Sequence, residues 1–78
     1  MNATEHIVLE VHQELERAMQ LHGPLRSAHE SYAVILEELE EFWEEVRKKR
    51  DERDPKAMRT ELIHTAAMCC PAIHDLSL

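Results

Sequence analysis

The stretch that decides the fold is Tyr32–Val46, which reads Y-A-V-I-L-E-E-L-E-E-F-W-E-E-V. Apolar residues recur in it at spacings of three and four, which predicts an amphipathic helix with a wide apolar stripe. On a helical wheel of about 100° per residue, Glu38, Glu41 and Glu45 fall beside this stripe, within about 60° of one another. We therefore expect their carboxylates to lie at the edge of the core and not opposite it.

This concentration of acidic residues destabilises the predicted helix unless a counter-charge is present. Six pairs of glutamates in the stretch are spaced i,i+3 or i,i+4, and each such pair of like charges costs roughly 0.2–0.5 kcal/mol. The residues concerned are Glu37, Glu38, Glu40, Glu41, Glu44 and Glu45. A bound cation is the simplest group that would offset the repulsion. The other interpretation is a solvated helix face, which is what most charge runs are.

Length and composition indicate one small helical domain over residues 1–78. A chain of 78 residues buries a limited core, and a metal, disulfides or a partner subunit often stabilise such a domain. The sequence has only one glycine and three prolines, so it offers few turns and favours long helices over many short strands.

Net charge, cysteine usage and the length of the apolar runs indicate which partners and which cellular compartment to expect. The net charge of −7 argues against nucleic-acid binding through a broad basic face. The two cysteines, Cys69 and Cys70, are adjacent, so a disulfide framework is not expected. Met1–Glu10 does not resemble a signal peptide, and the longest apolar run, Ala33–Leu36, is far too short to cross a bilayer. We therefore expect a cytoplasmic protein without nucleic-acid or membrane partners.

The helix boundaries follow from capping residues and prolines. Three helices are predicted, over residues 4–22, 28–50 and 55–70. Asn2 or Thr4 can cap the first helix, and Gly23-Pro24 ends it. Ser27–Glu30 has the form of a capping box, so the second helix begins after Ser27. The result is an antiparallel helical hairpin preceded by an N-terminal helix.

The second and third helices meet at a charged turn. Arg47–Arg50 is expected to form the basic C-terminal turn of the second helix, and Lys48 and Lys49 are candidates for binding phosphate oxygens. Asp54-Pro55 reads as an N-cap followed by a first-turn proline, which opens the third helix. Pro71 is expected to kink or end that helix because it removes a backbone hydrogen bond.

The predicted hairpin brings two pairs of candidate metal ligands to the same level. The midpoint between Glu38 and Glu41 and the midpoint between Glu61 and His64 are equidistant from Asp51, inside the turn. Residues equidistant from the turn of an antiparallel hairpin lie side by side. Three carboxylates and one imidazole are therefore expected to converge. Oxygen-rich clusters of this kind suit magnesium or manganese.

Two segments, His22–Val46 and Glu61–Met68, together resemble the MazG-like members of the all-α nucleotide pyrophosphohydrolases. The signature of that family is E-E-x-x-E, a spacer, and E-x-x-D. Glu37–Glu41 matches the first half, and Glu61 opens the second half after a spacer of normal length. His64 stands where the family has an aspartate.

The resemblance implies an enzyme that hydrolyses a nucleoside or deoxynucleoside triphosphate to the monophosphate and pyrophosphate with Mg²⁺. It implies Glu38, Glu41 and Glu61 as metal ligands, and Glu37 beside Glu38 as a catalytic residue that binds the metal or orients the attacking water. It also implies a homodimer whose central helices form a four-helix bundle. The imidazole of His64, as a fourth ligand, suits Mn²⁺ better than Mg²⁺.

Two functions other than nucleotide hydrolysis are compatible with the sequence. The chain could be a catalytically degenerate helical dimer that serves as an interaction module. It could also hold a zinc or redox site made of His64, Cys69, Cys70 and His74, although adjacent cysteines point about 100° apart on a helix. The residues expected to be buried in the dimerised hairpin are Leu39, Phe42, Val46, Leu62 and Ala66.

Overall fold

The computed structural model describes all residues, Met1–Leu78, and contains helices but no strand. The elements in chain order are α1 (Ala3–His22), α2 (Ala28–Val46), a short 3₁₀ helix (Arg50–Glu52) and α3 (Pro55–Asp75). The all-α class and the hairpin of α2 and α3 are therefore confirmed. None of the helices combines the length and the apolar character needed to cross a membrane.

Capping residues fix the three helix starts and the end of α1 where the sequence predicted them. Asn2, Ser27 and Asp54 are the N-caps of α1, α2 and α3, and the side chain of each accepts a backbone N–H from the first turn, at 2.8, 3.1 and 3.0 Å. Gly23 follows α1 with a φ of 70° and donates its N–H to the carbonyl of Met19. A positive φ strongly favours glycine, so this residue both ends α1 and turns the chain toward α2.

The second helix is shorter than predicted. It ends at Val46 and does not continue to Arg50. The returning chain accounts for this early end, because the Arg53 Nε donates to the carbonyl oxygen of Val46 at 3.0 Å. The backbone N–H of Asp54 also donates to the Glu45 carboxylate at 2.8 Å. These contacts satisfy groups at the end of α2 and hold the start of α3 against it.

The third helix is longer than predicted, and the expectation that Pro71 would end it is wrong. Pro71 lies inside α3, which continues to Asp75. Ala67 and Ala72, on either side of the proline, are buried. The Asp75 carboxylate accepts the backbone N–H of Leu25 at 2.8 Å, which ties the last turn of α3 to the α1–α2 connection. We attribute the continuation of the helix to these tertiary contacts, which offset the cost of about 3 kcal/mol for an internal proline.

The central element is α3, although the sequence pattern is strongest in α2. α3 packs against both α1 and α2, whereas α1 and α2 contact each other only slightly. The buried residues are small: Ala18, Ser31, Ala67 and Ala72. Small side chains at these positions let the helices approach closely, but they leave little apolar surface for a core.

The burial predicted for the hairpin is only partly found within one chain. Phe42 and Val46 are half-buried, but Leu39 and Leu62 are 45% and 47% exposed and Ala66 is also exposed. The reason is the position of α1. His64, which contacts α1, lies about 160° around α3 from Leu62, so α1 covers a different side of the hairpin.

Asp75 offers a test of how the fold depends on pH. The neighbouring His74 and the N–H of Leu25 lower the pKa of Asp75 because both favour its charged form. A lowered native pKa stabilises the fold above the ordinary aspartate pKa of about 3.9, and that stabilisation is lost as the pH falls through the native value. We expect Asp75→Ala to melt below the wild type at pH 7, and the difference to shrink below about pH 4.

Thermal melts followed by circular dichroism at pH 7 and pH 3 check this prediction. Asp51→Ala, in the exposed 3₁₀ turn, is the control and should follow the wild type at both values. A gap between Asp75→Ala and the wild type that is equally large at pH 3 would show that the charge of Asp75 is not its source.

Candidate metal centre

Glu38 of α2 and Glu61 and His64 of α3 form one cluster. Each offers a ligand atom, and these atoms all lie within 4.8 Å of one another. The His64 Nδ1 is 3.4 Å from the Glu38 Oε2 and 4.0 Å from the Glu61 Oε2. The structure thus brings these three residues together at one level of the hairpin, as their equal distance from the turn predicted.

Glu41 joins the edge of this cluster through Glu61. The pKa of Glu41 is raised because its carboxyl group hydrogen-bonds with that of Glu61, with further contributions from desolvation and from the charge of Glu61. Two carboxylates this close repel each other when both are charged, and a nearby cation would reduce that repulsion. Glu41 itself is exposed, which places it on the solvent side of the cluster.

The cluster has the chemistry of a cation site. The Oε2 atoms of Glu38 and Glu61 are buried and accept no hydrogen bond. A buried acceptor without a partner costs about 1–3 kcal/mol, and a charged one costs more. A divalent cation would be a partner for both oxygens at once. Carboxylates and an imidazole are ligands of Mn²⁺, and carboxylates alone suit Mg²⁺.

Glu14 of α1 also reaches His64, and the sequence did not predict this contact. The Glu14 Oε1 is 3.5 Å from the His64 Nε2. Arg17 donates two hydrogen bonds to the Glu14 carboxylate, at 2.9 and 2.5 Å. The hydrogen bond from Arg17 lowers the pKa of Glu14, whereas partial burial opposes this shift. A Glu and an Arg spaced i,i+3 are common on solvated helices, so this spacing does not indicate a contact with His64.

Two cavities adjoin the cluster, each of about 470 Å³. One, which we call the apolar cavity after its five hydrophobic residues, also has His22, Glu30, Glu37 and Glu38 in its wall; it lies where the end of α1, the start of α2 and α3 meet. Its apolar lining includes Ala18, Met19, Leu25, Val34 and Met68. The other is a polar groove between α1 and α3 that includes Glu14 and His64. The cluster therefore lies between an apolar cavity and a charged groove.

The remaining predicted site residues lie farther from the cluster's ligand atoms. Glu37 is exposed and lines the apolar cavity together with Glu38. Lys48 and Lys49 are exposed after the end of α2, and the Lys48 Nζ is 3.1 Å from the Glu45 carboxylate. Neither lysine lines the two cavities described above. Phosphate binding by these lysines stays a prediction.

The cysteine residues do not form the alternative zinc or redox site. Cys69 is half-buried and Cys70 is exposed, and both are free thiols. The Cys70 Sγ contacts a backbone carbonyl of its own helix at 3.7 Å, and His74 contacts Asp75. The only group of three or more potential metal ligands in the chain is the carboxylate–histidine cluster.

Comparisons with protein-family models, with curated proteins and with solved structures find no match for this chain. The relation to the MazG-like pyrophosphohydrolases therefore stays a prediction that rests on Glu37–Glu41 and Glu61–His64. The structure adds the spatial arrangement of three of these residues, Glu38, Glu61 and His64, which come together across the hairpin.

Glu41 allows the electrostatic cost of the cluster to be measured. Because Glu61 raises the pKa of Glu41, the charged form of Glu41 is disfavoured in the native state. We expect Glu41→Gln to raise the melting temperature in EDTA at neutral pH. In saturating Mn²⁺ the order should reverse, since the variant lacks one carboxylate for the cation. Calorimetric melts in EDTA and in Mn²⁺ check both signs.

Glu40→Gln is the matched control, because Glu40 is exposed on the same helix. It should respond to Mn²⁺ as the wild type does. If Glu41→Gln and Glu40→Gln behaved alike in both conditions, the pairing of Glu41 with Glu61 would have no energetic consequence.

Proposed function

We propose that this chain is a metal-dependent nucleoside triphosphate pyrophosphohydrolase, which converts a nucleoside or deoxynucleoside triphosphate to the monophosphate and pyrophosphate. The observation that supports the proposal best is the pair of buried carboxylate oxygens, on Glu38 and Glu61, that lack any hydrogen-bond partner and face His64. A solvated acidic face does not bury such atoms. The order of the residues, E-E-x-x-E followed by E-x-x-H, points from a cation site to this reaction class.

The chain's own residues have distinct parts in this reaction. Glu38, Glu61 and His64 would hold a cation from two helices, and Glu41 completes the acidic edge. Such a cation would neutralise phosphate oxygens and lower the pKa of the attacking water. Glu37, one residue before Glu38 and exposed on the cavity wall, orients the water and takes its proton. The water oxygen bonds to the α-phosphorus, the bond to the bridging oxygen breaks, and pyrophosphate leaves.

The apolar cavity beside Glu38 is the place we assign to the nucleobase. Its volume of about 470 Å³ falls within the range of roughly 300–1,000 Å³ that is usual for small-molecule sites. Methionine and aliphatic side chains, Met19, Val34 and Met68 among them, can cover the faces of a planar ring. A base in this cavity leaves its phosphates beside the carboxylate cluster.

A homodimer is part of the proposal, and the shape of the chain supports it. The accessible surface is 6009 Å², whereas a compact protein of 9.1 kDa exposes about 4,900 Å². The radius of gyration is 13.6 Å, compared with about 11.5 Å for a compact domain of this length. The excess surface of roughly 1,100 Å² is more than the 800 Å² or so that one partner buries in a standard interface.

The exposed apolar side of the hairpin is the surface that we assign to the dimer contact. We call it the α2–α3 apolar face. On α2 it carries Tyr32, Leu39 and Trp43, and on α3 it carries Leu62, Ala66 and Ile73, all of them exposed. Two such faces packed together form a bundle of four helices. This would bury the leucines whose exposure in one chain was not expected.

Solution mass tests the dimer. We expect sedimentation equilibrium to give about twice 9.1 kDa for the wild type, because burial of the α2–α3 apolar face stabilises the pair. Leu62→Asp should give the mass of one chain, since it places a charge in the contact. Leu21→Asp, on a leucine of α1 that is more exposed than Leu62, is the control and should stay dimeric. A monomeric wild type at micromolar concentration would exclude the bundle.

Pyrophosphate release tests the reaction itself. We expect release from at least one member of a panel of ribo- and deoxynucleoside triphosphates with Mg²⁺ or Mn²⁺. Glu38→Gln should lower the rate by about 100-fold or more, because an interaction needed to stabilise transition-state charge is lost. Glu40→Gln, two residues away and exposed, should keep the wild-type rate.

The second candidate function is the catalytically degenerate dimer that acts as an interaction module. The presence of His64 at the position of the family's aspartate favours it. This candidate predicts no pyrophosphate release with either metal, together with a dimer whose mass is unaffected by Glu38→Gln. Both candidates predict the dimer, so pyrophosphate release is the assay that separates the two functions.

A further inference from the structure

His64 is contacted by α1 as well as by the hairpin, through Glu14. We infer that Glu14, held in place by Arg17, is a positioning residue that turns the imidazole of His64 so that its Nδ1 faces the metal centre. The inference rests on the proposed function, because it concerns how His64 meets the cation. It adds a role for α1, which lies outside the motifs on α2 and α3.

The two ring nitrogens of His64 face different carboxylates. The Nδ1 lies 3.4 Å from the Glu38 Oε2 and 4.0 Å from the Glu61 Oε2, the two buried oxygens that accept no hydrogen bond. The Nε2 lies 3.5 Å from Glu14. A neutral imidazole has one N–H donor and one acceptor nitrogen, and only the acceptor can bind a metal. With Glu14 as acceptor for the Nε2–H, the lone pair of Nδ1 is left for the cation.

Arg17 makes Glu14 a fixed acceptor. Its guanidinium holds the Glu14 carboxylate with two hydrogen bonds, at 2.9 and 2.5 Å. The Glu14 side chain is only 15% exposed, in contrast to the 55% exposure of Arg17. A two-point contact between an arginine and a carboxylate fixes the orientation of the carboxylate as well as its charge. Arg17, Glu14 and His64 therefore form a chain of contacts from solvent to the metal centre.

The effect of such a carboxylate–histidine contact on metal affinity is known from other metal sites. A metal-binding histidine commonly donates its other N–H to a carboxylate, and loss of that carboxylate weakens metal binding by about 10–100-fold. Removing Glu14 should therefore weaken Mn²⁺ binding although Glu14 donates no ligand atom. Mg²⁺ binding should change less, because Mg²⁺ depends on the oxygen ligands.

Glu10 provides a matched control within the same groove. It lies one turn before Glu14 on α1, lines the same groove, and forms an ion pair with Arg59 of α3. Glu10→Ala therefore removes the same charge and an ion pair between the same two helices. The carboxylates within ion-pair distance of His64 are those of Glu14, Glu38 and Glu61, and Glu10→Ala leaves all three in place.

The experiment measures Mn²⁺ binding to the full chain by titration calorimetry, and measures the nitrogen coupling of bound Mn²⁺ by electron spin-echo envelope modulation. We expect ¹⁴N modulation in the wild type, and its loss in His64→Ala. Glu14→Ala should weaken binding by about 10–100-fold and reduce the modulation. Glu10→Ala should change neither. Glu14→Gln, which keeps an acceptor oxygen, should retain the modulation.

Arg17→Met is a second variant that leaves Glu14 in place but free to turn, and it should weaken Mn²⁺ binding in the same direction. It keeps the test decisive if Glu14→Ala does not fold. Wild-type affinity and modulation in both Glu14→Ala and Arg17→Met would overturn the positioning role. So would an equal loss in Glu10→Ala, because the effect would then be one of groove charge.

The outcomes also separate this inference from the proposed function. Wild-type binding of Mn²⁺ without ¹⁴N modulation overturns the positioning role and leaves the carboxylate site intact. No binding of Mn²⁺ or Mg²⁺ by the wild type overturns the proposed function, and the positioning role with it.

Discussion

The register between α2 and α3 is the constraint on which the rest of the structure depends. Contacts at the turn set it: Glu45 accepts the N–H of Asp54, and Arg53 caps the carbonyl of Val46. With the turn fixed, each position of α2 has one partner level on α3. A shift of either helix by one residue would rotate its carboxylates by about 100° and separate the cluster. The turn residues, which take no part in the chemistry, therefore determine whether Glu38 and Glu61 meet.

The small residues at the helix contacts allow close packing but limit the apolar core of a single chain. Ala18, Ala67 and Ala72 let α3 lie close to its neighbours, but an alanine buries little apolar surface compared with a leucine. The apolar residues that could have supplied a larger core lie on the outer side of the hairpin, where Leu39 and Leu62 are about half exposed. One chain alone thus has a polar cluster at its centre and apolar surface outside. A partner on the outer side and a cation at the cluster would each compensate for one of these features.

Local signals in the sequence were sufficient to predict the all-α fold class and the helix starts. They also predicted that Glu38, Glu61 and His64 lie together. Each depends on short-range rules: a capping side chain, a 3.6-residue period, or equal distance from a turn. The failures share a different origin. Pro71 continues a helix because Asp75 reaches Leu25, fifty positions away, and Glu14 meets His64 because α1 packs on one particular side of α3. A single sequence gives the apolar face of α1 but not the angle at which it docks, so a contact that depends on docking was beyond prediction.

The cluster also explains why so many glutamates occur on one short helix. Without a cation, like charges at i,i+3 and i,i+4 weaken α2, the buried oxygens of Glu38 and Glu61 are without partners, and Glu61 raises the pKa of Glu41. All three effects destabilise the metal-free fold, and a divalent cation at the proposed site would counter them through Glu38, Glu41 and Glu61. Any ligand that binds only the folded chain stabilises it by mass action, by about 2.7 kcal/mol at a hundredfold excess over its dissociation constant. For a chain with only four buried residues, that gain is a substantial share of the 5–15 kcal/mol or so that separates folded from unfolded domains. Binding and folding are therefore expected to be coupled in this protein, and the acidity that weakens α2 alone is what makes the coupling strong.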